Sequence, residues 1–100
     1  MGRNTKTVYI SCPITGQDMI RVRAYIGIAK NYIKNCGNIP VSPLEVSNDI
    51  NAPYSEHMGK DIMALLECDA VLFLRGWSTS KGCSLEFEAA KIYGKEIMFE

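Results

Sequence analysis

Short apolar runs alternate along this chain with longer segments of helical periodicity. The runs favour strands because they are rich in β-branched and aromatic residues, and the longer segments repeat apolar residues at helical spacing. The predicted strands are 6–11, 39–42, 70–74 and 96–99, and the predicted helices are 18–35, 55–67 and about 80–93. In the first helix, an apolar stripe that repeats every fourth residue consists of Ile20, Ala24, Ile28 and Tyr32.

The order of these elements predicts the fold class. Strands that alternate with helices at this spacing predict an α/β fold with a short, mainly parallel sheet, built as a flavodoxin-like or Rossmann-like three-layer sandwich. Pro40 places the second strand at a sheet edge, and the polar, turn-rich residues 43–54 are predicted to form a mobile loop. One hundred residues make a single domain, 1–100. In such sheets ligands bind at the carboxyl ends of the strands.

Composition narrows the choice of partners. The chain has 11 Lys and Arg against 11 Asp and Glu, so it carries no net charge that would attract nucleic acid or an anionic membrane. We therefore expect neither as a partner. The N-terminal residues 1–6 are polar and lead into a strand without the apolar segment of a secretion signal, which favours a cytoplasmic location.

The thiols and the single histidine do not indicate a metal site. Cys12, Cys36, Cys68 and Cys83 show no metal-binding spacing, and His57 is the one histidine in the sequence. We expect no metal and no cofactor, and we expect the thiols to be reduced and to lie in the core or near the site. A thiol nucleophile is not expected, and His57, in the first turn of the second helix, is expected to be solvated.

Two carboxylates have unusual surroundings for surface residues. A strand, a small-residue turn and a helix start follow one another up to residue 86, which makes an anion site because the first N–H groups of a helix are unpaired. Glu86 then shares a helix face with Ala89, Ala90 and Tyr93. Asp61 likewise has mainly apolar neighbours on its helix face. Both residues are candidates for a site beside a bound anion.

The segment 8–16, with the sequence VYISCPITG, is similar to the opening motif of the nucleoside 2-deoxyribosyltransferase-like superfamily. Asp61 and the later pattern Ser80-x-Gly82-x-x-x-Glu86 resemble the second half of that family. The resemblance implies N-glycosidic chemistry on a nucleoside or nucleotide. It also implies that Glu86 attacks or stabilises the anomeric carbon, Asp61 protonates the leaving base, and Tyr9 orients Glu86. An N-glycosidic bond needs these groups because its cleavage develops positive charge on the sugar and negative charge on the base.

The residue at position 80 favours a particular substrate. Relatives that act on free nucleosides carry an aspartate there, whereas the related 2′-deoxynucleoside 5′-monophosphate N-glycosidases carry serine, as this chain does. An aspartate would repel a phosphate, but a serine hydroxyl at a helix start can donate to it, or it can act as the helix cap alone. The residues expected to bind substrate are Ser11, Cys12, Pro13, Ile14, Gly16, Trp77, Ser80, Lys81 and Gly82. Trp77 could stack on the base or cover the sheet edge.

These observations predict hydrolysis of the base–sugar bond of a (deoxy)nucleoside 5′-monophosphate. The chain has Pro13 and Thr15 where those hydrolases have a small polar residue and a basic residue, so Arg21 or Arg23 would have to supply the cation. That departure keeps open a non-catalytic nucleotide-binding protein, and transfer of deoxyribose between bases is a third possibility. The resemblance also implies a homo-oligomer, such as a dimer.

Overall fold

The structure is a computed structural model that describes residues 5–100. Residues 1–4, which the argument against a secretion signal used, lie outside the described residues. The four strands, β1–β4, are Thr7–Ser11, Ile39–Val41, Ala70–Phe73 and Glu96–Phe99. The four helices, α1–α4, are Met19–Asn35, Pro43–Val46, Tyr54–Glu67 and Lys81–Ile92.

The strands form one parallel sheet in the order β2-β1-β3-β4, which confirms the predicted α/β sandwich. Pro40 lies in β2, and β2 is an edge strand as predicted, where a missing N–H does least harm. In the centre, β1 pairs with β3 from Val8 opposite Ala70 to Ser11 opposite Phe73. Asp69 accepts a hydrogen bond from the Thr7 backbone N–H at 2.9 Å, which ties the start of β1 to the start of β3.

Alternate residues of the strands supply two separate cores. The first core lies between the sheet and α1, and the second lies between the sheet and the pair α3 and α4. Because neighbouring residues of a strand face opposite sides, Val8 and Ile10 enter the first core and Tyr9 enters the second. The result is the predicted three-layer arrangement, with α3 and α4 on the same side of the sheet as Tyr9.

The buried face of α1 is not the predicted stripe. Ile20, Ala24, Ile28 and Tyr32 are all exposed, and the core contacts are made by Val22, Ile26, Ala29 and Ile33. Both sets are apolar and recur at helical spacing, so the periodicity of this helix allows two orientations. The prediction of a four-residue stripe was therefore correct as a pattern, but that stripe faces solvent.

The segment 43–54 is not a loop throughout. It begins with the one-turn helix α2, because Ser42 caps the Leu44 N–H at 3.2 Å and Pro43 already has a helical φ in the first position. The segment 77–79, which was expected to be part of a loop, is a short 3₁₀ turn. Both corrections lie next to the site described below. Within residues 5–100, no helix has the length and apolar character needed to cross a bilayer.

The four cysteines are free thiols. Cys12, Cys68 and Cys83 are buried, as expected, but Cys36 is exposed at the end of α1 and belongs neither to the core nor to the site.

We predict that two isoleucines on α1 differ sharply in their contribution to stability. Ile26 is 3% exposed and Ile28 is 66% exposed. Ile26→Ala should lower the free energy of unfolding by about 2–5 kcal/mol, because it leaves a cavity in the first core. Ile28→Ala is the matched control and should change it by less than about 0.5 kcal/mol. Urea unfolding of both variants measures the difference, and equal losses would contradict the described orientation of α1.

Candidate active site

A cavity of about 900 Å³ opens at the carboxyl end of β1. Its walls come from the turn after β1, one side of α1, the segment 47–50 and the first turns of α3 and α4. This is the sheet edge where the sequence predicted a ligand. Of the residues predicted for the site, those that line the cavity are Tyr9, Cys12, Pro13, Ile14, Asp61, Ser80, Lys81, Gly82 and Glu86.

Glu86 is the most enclosed charged side chain of the site, with 4% of its surface exposed. Two hydroxyl groups of β1 hold its carboxylate. The Ser11 hydroxyl donates to Oε1 at 2.6 Å, and the Tyr9 hydroxyl donates to Oε2 at 2.9 Å. Tyr9 and Ser11 point to the same side of the sheet because they are two residues apart on a strand. Both carboxylate oxygens therefore have a fixed partner, and the group cannot rotate freely.

The surroundings of Glu86 raise its pKa from 4.5 to about 7. The main cause is burial, which disfavours the charged form, and the negative charge of Asp61 adds to it. The hydrogen bonds from Ser11 and Tyr9 act in the opposite direction because they stabilise the carboxylate. The pKa of Tyr9 itself is raised far above its usual value, chiefly by burial, so Tyr9 stays protonated and remains a donor.

Asp61 lies on α3 with 8% of its surface exposed. Its Oδ1 atom is buried and has no hydrogen-bond partner among the described residues. Burial raises the pKa of Asp61 to about 6, and the positive charge of His57 partly opposes that rise. A buried carboxyl oxygen without a partner is costly, so this atom is suited to bond a ligand in the cavity.

The first turn of α4 forms another wall of the cavity. Ser80 caps the helix by accepting from the Cys83 N–H at 3.3 Å, and it keeps its own hydroxyl hydrogen for another acceptor. A Cβ atom at Gly82 would lie 3.2 Å from Met58 Sδ and 3.2 Å from the Tyr54 hydroxyl oxygen. Glycine therefore lets α3 approach the start of α4 closely. Lys81 lies between Ser80 and Gly82 and also lines the cavity.

Three residues predicted to bind substrate are not part of the cavity wall. Trp77 packs with Phe73, Phe87 and Phe99, and its ring stacks on Phe87 with 4.7 Å between centroids. Trp77 packs against the second core and beside Phe99 of the edge strand β4, in agreement with the alternative that it covers the sheet edge, and we assign it no contact with a base. Gly16 is exposed and has a φ of 78°, so it serves the turn after β1. Ser11 is buried beneath the cavity, and its hydroxyl group donates a hydrogen bond to Glu86.

The structure brings to the site residues that the sequence analysis had missed or had left undecided. His57 is half-buried and lines the cavity, so the expectation of a solvated histidine was wrong. Its Nδ1 atom is hydrogen-bonded to Ser47, a contact that spans ten residues and that no local pattern signals. Arg23 also lines the cavity, whereas Arg21 does not. Helical spacing would have shown which of the two arginines faces the cavity only if the buried face of α1 had been known from the sequence.

The site offers acid–base groups and hydrogen-bond donors. Within residues 5–100, no cluster of three or more His, Cys, Asp or Glu side chains is arranged to hold a metal ion. Burial raises the pKa of the Cys12 thiol to about 12 and also raises the pKa of the Cys83 thiol. Both thiols remain protonated near neutral pH, which makes them poor nucleophiles. Glu86 and Asp61 are buried carboxyl groups of this cavity whose pKa values are raised towards neutral pH.

Comparisons with known proteins agree with this architecture. A solved structure of a 2-deoxyribosyltransferase from the psychrotolerant bacterium Bacillus psychrosaccharolyticus matches with a TM-score of 0.68 and 17% sequence identity, covering 93% of this chain and 70% of that one. This likeness establishes a shared fold. No curated protein sequence matches the chain significantly. A family model described as Domain of unknown function (DUF4406) matches residues 6–99. Since that match spans nearly the entire sequence, the chain belongs to the DUF4406 family.

Proposed function

We propose that this protein is an N-glycosidase that hydrolyses the base–sugar bond of a (deoxy)nucleoside 5′-monophosphate. The observation that carries the proposal is the pair of buried carboxyl groups, Glu86 and Asp61, on two helices that line one cavity. Burial raises the pKa of both groups, but only Glu86 has donors that stabilise its charged form. Two carboxyl groups in such different surroundings are suited to opposite roles, a nucleophile and an acid.

In the first step, a carboxylate oxygen of Glu86 attacks the anomeric carbon of the sugar. The bond between that carbon and the base nitrogen breaks, and its electron pair stays with the base, which takes the proton of Asp61. In the second step, water attacks the same carbon and the bond to Glu86 breaks. The water proton returns to Asp61, so the enzyme ends in its starting protonation state.

Tyr9 and Ser11 tune the nucleophile. Their hydroxyl groups each donate to one oxygen of Glu86, and because each oxygen has a second lone pair, the oxygen that attacks can form its bond to carbon while it keeps its hydrogen bond. The same donors favour the departure of Glu86 as a carboxylate in the second step. We therefore assign them a role in both halves of the reaction, in addition to the orienting role expected for Tyr9.

The phosphate is assigned to the first turn of α4. The free backbone N–H groups there, the spare hydroxyl hydrogen of Ser80 and the side chain of Lys81 all favour an anion. Arg23 is the arginine of α1 that lines the cavity, so it is our choice for the cation that the turn after β1 lacks. A monophosphate fits this end of the cavity better than an uncharged 5′-hydroxyl.

Two other functions fit part of the same geometry. A protein that binds nucleotides without cleaving them would need the cavity and its basic side chains. It would not need carboxyl groups whose pKa values are raised. Deoxyribosyl transfer would use the same first step and a second base in place of water. The homodimer implied by the family resemblance remains a prediction, and the exposed apolar stripe of α1 is one surface on which a second copy could pack.

We predict that Glu86→Gln abolishes base release while the fold persists. The amide keeps the size of the side chain but cannot attack the sugar, so turnover should fall on the order of 10³-fold or more. Chromatography of free base from nucleoside monophosphates measures the loss. The matched control is Glu88→Gln on the exposed face of the same helix, where an ion pair with Lys91 is the main contact. Equal activity of Glu86→Gln and the control would remove Glu86 from the mechanism.

We predict a bell-shaped dependence of kcat/KM on pH, with its maximum between about 6 and about 7. Below about pH 6 activity should rise with pH, because more molecules carry an ionised Glu86, and above about pH 7 it should fall, because few molecules still carry a protonated Asp61. Because the acid does not have the higher pKa of the two, only a minority of molecules hold both groups in the active protonation state. Asp61→Asn should lower kcat and remove the fall at high pH. A profile that keeps rising to pH 9 in the wild type would contradict the role of Asp61.

We predict that Ser80→Asp changes the preference for a 5′-phosphate. Aspartate is a good helix cap, so α4 should still form, but its charge would repel a phosphate. KM for a monophosphate should rise about tenfold or more, and the matching free nucleoside should become the better substrate. Comparing kcat/KM for both compounds in both proteins measures the effect. An unchanged preference would show that the phosphate does not lie at this helix start.

A further inference from the structure

His57 and Asp61 are four residues apart on α3, which places their side chains one above the other on one helix face. Both line the cavity, and the charge of His57 acts on Asp61. Asp61 Oδ1 is buried and has no hydrogen-bond partner within residues 5–100, so this atom is available to bond a ligand at this end of the cavity. No step of the proposed reaction uses His57, although it lies beside the group that protonates the leaving base.

The contact with Ser47 bears on which nitrogen of His57 carries hydrogen. Ser47 is buried, and its hydroxyl group is hydrogen-bonded to His57 Nδ1, a contact in which either atom can donate. A neutral ring with its hydrogen on Nε2 leaves Nδ1 free to accept from Ser47, whereas a hydrogen on Nδ1 would turn the Ser47 hydroxyl hydrogen towards the cavity that Ser47 also lines. The burial of Ser47 favours the first arrangement. We therefore assign the hydrogen of the neutral ring to Nε2. The charged ring also carries a hydrogen on Nε2, so this nitrogen is a donor in either state.

Asp61 and His57 thus present two neighbouring donors, the carboxyl hydrogen of Asp61 and the Nε2 hydrogen of His57. A 6-oxopurine such as hypoxanthine or guanine offers two acceptors side by side, N7 and the 6-oxygen. A 6-aminopurine offers N7 but places an amino donor at position 6, where it would face the hydrogen of His57. Protonation at N7 is also a chemically suitable way for Asp61 to assist departure of a purine.

We propose that His57 reads the leaving base by donating from Nε2 to a 6-oxygen beside Asp61, so that the site prefers 6-oxopurine nucleotides to 6-aminopurine nucleotides. This inference rests on the proposed function for its catalytic part. His57 is then a specificity-determining residue, and Ser47 is a positioning residue that fixes its donor.

The test compares deoxyinosine and deoxyadenosine 5′-monophosphate, which differ in the group at position 6 of the base and in the hydrogen on the adjacent N1, but not at N7. For the wild type we expect kcat/KM to be about 10–100-fold higher for the deoxyinosine compound, the discrimination that one pair of base contacts supplies. His57→Phe keeps a ring of similar shape without a donor, and it should bring this ratio to within about threefold. Ser47→Ala should lower the ratio in part, because the ring nitrogens can then exchange their hydrogen.

A matched control is Lys60→Gln, on the exposed side of α3 in an ion pair with Glu56, which should keep the wild-type ratio. A change confined to the ratio separates base reading from loss of structure, since unfolding would lower both rates equally. A wild-type ratio near one, a preference for the deoxyadenosine or a pyrimidine compound, or an unchanged ratio in His57→Phe would overturn the inference.

Failure of the proposed catalysis can be told apart from failure of base reading. If the wild type released no base from either nucleotide, the glycosidase proposal would fail, and the preference would be read from the rise in melting temperature. A larger rise with the deoxyinosine compound, lost in His57→Phe, would still support base reading by His57. Equal rises in the wild type would overturn it.

Discussion

Two hydroxyl groups of β1, those of Tyr9 and Ser11, hold the carboxylate of Glu86 in place by hydrogen bonds, and the rest of the site is arranged around that contact. Because β1 pairs with β2 on one side and β3 on the other, the positions of Tyr9 and Ser11 are set by the centre of the sheet. The helix α4 can place Glu86 between those donors only if it docks in one orientation. The second core and the reactive carboxylate therefore depend on the same packing of α4 on the sheet.

Asp61 lies on a different helix from Glu86, so the distance between the two carboxyl groups depends on how α3 and α4 pack together. Gly82 allows close packing, because a Cβ atom there would lie only 3.2 Å from Met58 Sδ and 3.2 Å from the Tyr54 hydroxyl oxygen. Asp61 and His57 lie on the same helix as Met58 and Tyr54. Small changes at the start of α4 would thus shift Asp61 and His57 together, without changing either residue.

Local patterns were enough to predict the four strands and the three longer helices, because the β-branched runs and helix caps act over short distances. They were also enough to select Glu86 and Asp61, since a carboxylate among apolar residues on one helix face is visible in the sequence. The orientation of α1 was not predictable, because that helix has two apolar faces and only packing on the sheet chooses between them. His57 was missed for a similar reason: its partner Ser47 reaches it through the end of α2, a one-turn helix that the sequence analysis took for a loop.

The burial of Glu86 also has a consequence for the folded state as a whole. Its pKa rises from 4.5 to about 7, so the native protein holds a proton that the unfolded chain would release between those two values. Stability from this group is therefore full below pH 4.5 and declines as the pH rises towards 7, by up to ~1.4 kcal/mol for each pH unit. The pKa of Asp61 is raised from 3.8 to about 6, so the stability that this group contributes also declines as the pH rises between those two values. As far as these two groups are concerned, the folded state is most stable where both carboxyl groups are protonated, whereas the nucleophilic role proposed for Glu86 needs its charged form, so the proposed chemistry and the stability of the fold make opposite demands on the same proton.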